Sequence, residues 1–468
     1  MRTTADQLRD VLDHWQSGTG PLYSQLADAI VSLAEAGSLD HGTRLPSERA
    51  LAEALHLSRN TVTAAYQRLR DDEWLEVRPG AAPTLGARAR GLDGMSYQDR
   101  FAKILPGSRA PLVGLSSACP PPAPVVSQAF SDPALMIDGA VASGTGYAAL
   151  GDPDLVRAIV EHLRSRGIAA RPDEIVVTSG GQQALWLAVT ALAGPSCPVA
   201  MEAVAYPGVF DAIGSAGSRP LALPMGSDGL DVAASVKLIR AARPDVAYLT
   251  TFQNPTGTVV EPEAAERLLA AAHAAGTTVI DDRITADLAL DGVPRPPLAA
   301  LPGARGASVV TIGGLSKVFW GGMRIGWLHS NATLAAQLRN RKAAMDLGSP
   351  AFMQQLATRF LTEHYEETLA WRLESMRESL AATVDAIVEH GLDWEFRNPD
   401  GGPSLWVRVP GSNAERFAAR ASDAGVPVAP GTAFEVIPGA GAQHFRLPFY
   451  LPPEDMRLGV KVLAERAA

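Results

Sequence analysis

Leu315–Trp327 reads LSKVFWGGMRIGW and sets Lys317 in an apolar, glycine-rich run, with Arg324 seven residues further on. A lone lysine among apolar neighbours asks for a chemical reason, because an ammonium leaves water only where a partner or a reaction holds it. Five segments precede it in chain order: YAALGDPDLVRAI from Tyr147, VTSGGQQAL from Val177, MEAVAYPG from Met201, FQNPTG from Phe252 and VIDDRITADL from Val279. Taken singly each is ordinary: a glycine pair ahead of a helix is packing chemistry, and NPTG is a turn whose asparagine satisfies its own backbone. Around them, apolar runs at Glu174–Thr178, Val246–Thr250, Thr277–Ile280 and Ser308–Ile312 alternate with alanine-rich helical stretches. That order predicts an α/β body, residues 125–468, with a mostly parallel sheet covered by helices on both faces. Its large subdomain is expected over about 145–345 and a smaller C-terminal one over about 346–468.

In series, the six segments resemble the fold type I aminotransferases that bind pyridoxal 5′-phosphate (PLP), across nearly all of the body. The resemblance implies that architecture, with Lys317 as the amine that forms a Schiff base with the cofactor's aldehyde. A ring nitrogen kept protonated calls for a buried carboxylate at a strand end, and Asp281, after the apolar run TTVI, is placed for it. The phosphate wants backbone N–H groups at a helix N-terminus and a fixed cation, which Gly180, Gly181, Gln182 and Arg324 supply. Asn254 is assigned to the phenolic oxygen and Tyr206 to the ring face. Tyr147 belongs to a motif that in this fold reaches the phosphate from the neighbouring subunit, which implies a homodimer. HFRLPFY resembles the segment whose arginine holds an α-carboxylate and nominates Arg446; its plain alternative is a salt bridge at a surface or interface. Glu202 is read as structural, and no metal site is expected. Two positions depart from the pattern. Where the family carries a tyrosine two or three residues after the ring-nitrogen aspartate this chain has Arg283 and Ile284, and Gly314 replaces the phosphate-binding serine three residues before Lys317. Arg283 is expected to take over near the phenolic oxygen and stabilise its anionic form.

Upstream, PLYSQLADAIVSLAEAG from Pro21 sets Leu22, Leu26, Ala29, Ile30 and Leu33 on one helical face. Ser47 opens a short helix, and after a tight break Ser58 caps another whose apolar stripe is Val62, Ala65, Tyr66 and Leu69, with Arg59, Asn60, Thr63 and Gln67 opposite. Two short helices so joined have helix-turn-helix geometry, and WLEVRPGAAPTL alternates about Pro79–Gly80 as a hairpin wing does. From His41 to Arg70 the charged residues are Arg44, Arg49, Arg59, Arg68 and Arg70 against Glu48 and Glu53. Such arginines suit bidentate contacts to guanine edges or phosphate; a solvated face on a small helical domain is the bland alternative. RLPSERALAEALHLSRNTVTAAYQRLRDDEWLE resembles the winged helix-turn-helix of GntR-type bacterial transcription factors. That implies that Arg44, Arg49, Ser58, Arg59, Asn60, Thr61, Thr63 and Gly80 lie near DNA, although Ala81-Ala82-Pro83 replaces the family's Gly-rich wing tip.

A head over 1–82, a Gly-, Ala-, Arg- and Pro-rich linker over 83–124 and the body together resemble the MocR subfamily of bacterial regulators. The resemblance implies a homodimeric transcription factor that binds a double-stranded DNA operator and whose body senses PLP itself, an amino acid or an amine. A working aminotransferase with a vestigial or autoregulatory head is the alternative, and a cofactor-independent DNA-binding scaffold is a third. Composition agrees with a globular protein: 47% of the 468 residues are hydrophobic and the net charge is −9. An acidic whole chain excludes bulk attraction to nucleic acid, so DNA binding has to be local to the head. Two cysteines, Cys119 and Cys197, provide neither a disulfide framework nor a Cys-only metal site. The start, MRTTADQLRDVLDHW, lacks an apolar secretory core, and the longest apolar stretch, Ala184–Ala193, is short of a membrane span, so a cytoplasmic location is expected.

Overall fold

In the head, the predicted stripes become the core. A computed structural model describes residues 4–12, 15, 20–35, 43–71, 74–76, 83–85, 100, 103–104, 110–131, 146–195 and 197–466. The chain divides into two compact units, Met1–Ser96 and Tyr97–Ala468. The first holds helices α1 (Ala5–Val11), α2 (Leu22–Glu35), α3 (Glu48–Ala54) and α4 (Arg59–Asp71). Leu26, Ile30, Leu51, Val62, Ala65, Tyr66 and Leu69 pack together, whereas Leu22, at the first turn of α2, is exposed. Ser47 caps α3 by accepting from Ala50 N, and Ser58 accepts from Thr61 N at the start of α4. Strand β1 (Leu75–Glu76) pairs antiparallel with β2 (Thr84–Leu85), and Arg44 bridges to Thr84, making the base of the wing. Gly80 and the wing tip lie outside the described residues.

The second unit is built on seven strands in the order β3-β11-β10-β9-β8-β4-β5. These are β3 (Ile175–Thr178), β4 (Val199–Glu202), β5 (Pro220–Leu223), β8 (Val246–Thr250), β9 (Thr278–Asp282), β10 (Val309–Gly314) and β11 (Gly326–His329); β6 (Met225–Gly226) and β7 (Gly229–Leu230) form a separate hairpin. All neighbours run parallel except β11, which is antiparallel to both β10 and β3. The short return from β10 to β11 carries Lys317. One face of the sheet packs Val177, Trp327, Leu249 and Val279 against α5 (Pro153–Ser165) and α7 (Pro262–Ala275). Against β10 and β11 also lies α6 (Gly181–Leu192).

A smaller antiparallel sheet, β12 (Ser404–Arg408), β14 (His444–Pro448) and β13 (Ala429–Pro430), packs with α8 (Tyr365–Glu389) and α9 (Pro453–Arg466). Its core includes Val113 and Leu115, and Leu115 bridges in parallel to Val428. Residues 110–124, expected in the linker, therefore belong to the body: Val113, Leu115 and Ala123 are buried because their apolar side chains have core to enter.

Candidate functional site

Register in the sheet decides which carboxylate serves the site. Asp282 lies beside Thr250 and Ile312, while Asp281 lies beside Leu249 and Thr311, so the two adjacent carboxylates point to opposite faces. Asp282 accepts from Tyr248 OH at 2.7 Å and from Ile284 N at 3.1 Å, and it is Asp282 that faces Lys317. Asp281, expected at the ring nitrogen, accepts from Leu298 N at 2.9 Å in a cleft lined by Leu249, Leu268, Pro296 and Leu301. Burial raises both carboxyls above the usual range. Arg283 shares the face of Asp281. Its guanidinium donates to Arg295 O at 2.9 Å, Thr251 Oγ1 at 3.2 Å and Pro296 O at 3.3 Å, and lies 3.9 Å from Asp281. The expected role of Arg283 beside the phenolic oxygen is thereby corrected: the side chain, just past the end of β9, turns to the Asp281 cleft rather than to the Asp282 face. Ile284 instead turns to the site, its Cδ1 within 3.0 Å of where a Cβ on Gly181 or Gly314 would lie.

Lys317 Nζ donates to Ala118 O at 2.8 Å. Burial lowers its pKa, assisted by Arg446 and opposed by Cys119 and Asp282. Gly180 and Arg324, both expected at the phosphate, lie side by side. Gly180 takes φ +96° as the N-cap of α6, with no side chain capping that helix, and a Cβ there would stand 2.8 Å from the Arg324 guanidinium. Arg324 itself adopts a left-handed backbone and donates to Ser179 O. Gln182 Nε2 donates to Gly208 O at 3.0 Å, and Gly208 lacks a Cβ where Gln182 and Tyr206 approach it. Asn254 is half-buried and joined to Pro255 by a cis peptide bond. Arg446 is 2% exposed, donates to Ser116 O at 2.7 Å and leaves its Nε without a partner; burial lowers its pKa to about 10. That is an unmet donor fitted to a carboxylate. Glu202 is buried, accepts from Thr250 Oγ1 at 3.0 Å and is pushed up to about 8 by burial. Tyr147 is 73% exposed.

In the head, Arg44, Arg49, Arg59 and Asn60 are exposed, and among the described residues no carboxylate pairs with those arginines. Ser58 and Thr61 bond to each other at the start of α4. Thr63, expected near DNA, is half-buried and donates to Glu48 Oε2 at 2.8 Å, bracing α3 against α4. Arg68 pairs with Asp28 and Arg70 with Glu48, so these two arginines hold helices together.

The model of the aminotransferase class I and II family matches residues 115–463, and that of the bacterial regulatory proteins of the gntR family matches 22–83. The chain is 30% identical to the HTH-type transcriptional regulator TauR of Rhodobacter capsulatus, over 89% of this chain and 90% of that protein. It is 26% identical to the probable rhizopine catabolism regulatory protein MocR of Rhizobium meliloti, over 83% of this chain and 82% of that protein. The chain belongs to the MocR subfamily of GntR regulators. Among solved structures, LysN, the α-aminoadipate aminotransferase of Thermus thermophilus complexed with N-(5′-phosphopyridoxyl)-L-leucine, superimposes with a TM-score of 0.68 at 26% identity, over 79% of this chain and 98% of that one.

PLP is the cofactor of this fold, and the residues of the MocR-type body fit it. A buried amine, a buried carboxylate facing it, an uncapped helix N-terminus and a fixed guanidinium are the groups that an aldehyde, a ring nitrogen and a phosphate require. Sequence reasoning missed Asp282, Tyr248 and Cys119. Tyr248 and Asp282 were legible only through pairing, and Cys119 through the fold that brings it to Lys317. Among the described residues there is no group of three metal-ligating side chains, and no helix is long and apolar enough to cross a membrane.

Proposed function

We propose that this MocR-type chain is a transcription regulator that binds operator DNA through its head and PLP through its body, and that the state of the body sets operator affinity. The observation that carries this reading is the convergence of Lys317, Asp282 and Arg446 in one site on a chain whose α4 N-terminus also presents exposed arginine and asparagine. Bound PLP supplies an electrophilic aldehyde carbon and an electron-withdrawing ring. Lys317, kept less basic by burial, is the nucleophile for the aldehyde, and Asp282 holds a proton on the ring nitrogen. Arg324 and the N–H groups of α6 orient the phosphate. Arg446 would take the carboxylate of an amino acid effector, whereas a plain amine would leave it unfilled.

A homodimer sets the spacing of two DNA half-sites. Its support is an apolar patch: Tyr147, Leu150, Met345, Leu347 and Phe352 are all exposed, and Gly348 packs its backbone against Ala148. DNA and cofactor then act on each other by one coupling free energy, whichever is added first. The chain is placed in the cytoplasm by the same reading.

Fluorescence anisotropy with DNA from upstream of the protein's own gene, at fixed salt and with and without PLP, tests the reading. Tight binding that PLP shifts is expected. Tight binding that it leaves unchanged sends the search to amino acids and amines, and absence of specific binding overturns the regulator. The second reading is a working aminotransferase, favoured by the joint presence of Lys317, Asp282 and Arg446. Sustained keto-acid formation over many turnovers would establish it.

A further inference from the structure

Residues 116–123 pass over Lys317 and are fixed from four sides. Arg446 Nη2 donates to Ser116 O at 2.7 Å, Lys317 Nζ to Ala118 O at 2.8 Å and Arg372 Nη2 to Pro121 O at 2.8 Å, while Ala123 N donates to Phe319 O at 3.0 Å. Pro120, Pro121 and Pro122 stiffen the same stretch. This clamped loop presents Cys119 as an exposed, free thiol. The charges of Lys317, Arg446 and Arg324 and a hydrogen bond from Ser117 act on the thiol, which acts in turn on Tyr206 and Tyr450. Two of these neighbours carry unmet polar atoms: Arg446 Nε and Tyr450 OH are without partners, on residues 2% and 4% exposed. Buried donors lacking acceptors thus lie on residues on which the thiol acts electrostatically, and Arg446 also holds the same loop through Ser116 O.

We propose that Cys119 is a modification site at which peroxide-class oxidants close the cofactor site. In the step, the thiolate attacks one oxygen of hydrogen peroxide; the S–O bond forms as the O–O bond breaks, and the departing hydroxide takes up a proton to become water. Sulfur loses two electrons and the peroxide gains them. The new oxygen accepts from Arg446 Nε and Tyr450 OH, and its charge pairs with Lys317. The amine required by the PLP aldehyde and the guanidinium required by an effector carboxylate are then both occupied. Reactivity follows from the surroundings: burial raises the thiol, but Lys317, the Ser117 hydrogen bond, Arg446 and Arg324 together bring it below the ordinary thiol value. Cys197 is the internal control. It is half-buried, and burial with the Asp245 hydrogen bond and charge holds its thiol above that value.

The effect on PLP rests on the function proposed above; the chemistry at sulfur does not. Full-length protein is treated with equimolar hydrogen peroxide, trapped with dimedone and read by peptide mass spectrometry. Cys119 should be labelled and Cys197 not, and iodoacetamide at pH 7 should alkylate Cys119 at least about tenfold faster than Cys197. PLP loaded beforehand should slow both reactions at Cys119. PLP uptake, followed by absorbance, should fall about tenfold after peroxide and return with dithiothreitol, whereas C119S should keep its own untreated uptake after the same treatment. Equal labelling of the two cysteines overturns the proposal, as does labelling of Cys119 that leaves PLP uptake unaltered. Failure of untreated protein to take up PLP overturns the cofactor reading instead, and the labelling pattern then decides Cys119 alone.

Discussion

Asp282→Asn keeps the size of a side chain while removing its charge, and Asp281→Asn makes the same change one residue away on the opposite face of the sheet. Asp282 faces Lys317 and is the carboxylate available to a ring nitrogen. Removing one partner of a buried charge pair costs about 3–5 kcal/mol, on the order of 10²- to several-thousand-fold in the Kd for PLP. Asp281 bonds to Leu298 N and neighbours Arg283, so Asp281→Asn should leave that Kd within about twofold, as independent sites do. Stability moves the other way. Each carboxyl has a folded-state pKa raised above 3.8 by burial, so folding disfavours its ionised form. That penalty is absent below 3.8 and grows as pH rises through the folded value. Cofactor-free D282N should therefore melt at or above wild type at pH 7, with the difference vanishing toward acid. Absorbance titration with PLP and melting of the cofactor-free variants across pH measure both effects. Loss of PLP by D281N with retention by D282N would refute the face assignment, and a cofactor-free D282N that melts below wild type at pH 7 would refute the sign.

Arg59→Ala should weaken specific operator binding by about 1–3 kcal/mol if the guanidinium contacts a base; competition anisotropy showing unchanged operator preference counts against that contact. Thr63→Val loses the bond to Glu48 and should cost about 1 kcal/mol of head stability, lowering the melting temperature without altering which operator is preferred. Arg446→Gln should weaken spectral titration by amino acids by on the order of tenfold to a hundredfold, the scale of one charged hydrogen bond, while leaving PLP uptake in place; equal losses for amino acids and plain amines would remove its carboxylate role. Lys317→Ala should abolish borohydride-fixed PLP in mass spectra, and covalent cofactor persisting in that variant refutes the lysine assignment.

Much of the molecule was legible because helices announce their buried face. Val62, Ala65, Tyr66 and Leu69 recur at helical spacing, and they are the core of the head. Lys317, Arg324 and Gly180 were legible for a different reason: each is chemically costly or conformationally special where it stands, so its position carries information even without a partner in view. The linker was drawn too long because proline and glycine were weighed above Val113 and Leu115, an alternating apolar pair that enters the body's core. The aspartates failed on the physics of parallel sheets. A strand covered on both faces has apolar residues at odd and even positions alike, as Val279 and Ile280 do here, so alternation cannot say which of two adjacent carboxylates looks toward the site. A shift of one residue exchanges the faces entirely. Only pairing with Thr250 and Ile312 resolves it, and those contacts lie about thirty residues away in the chain on either side. Arg283, just past the end of β9, turns to the Asp281 cleft. Counted from Asp282, the position of the family's missing phenol falls on Ile284, an apolar group beside the glycines, or on Thr285, whose hydroxyl donates to Phe252 O at 3.4 Å, so neither residue supplies a phenol to a cofactor oxyanion.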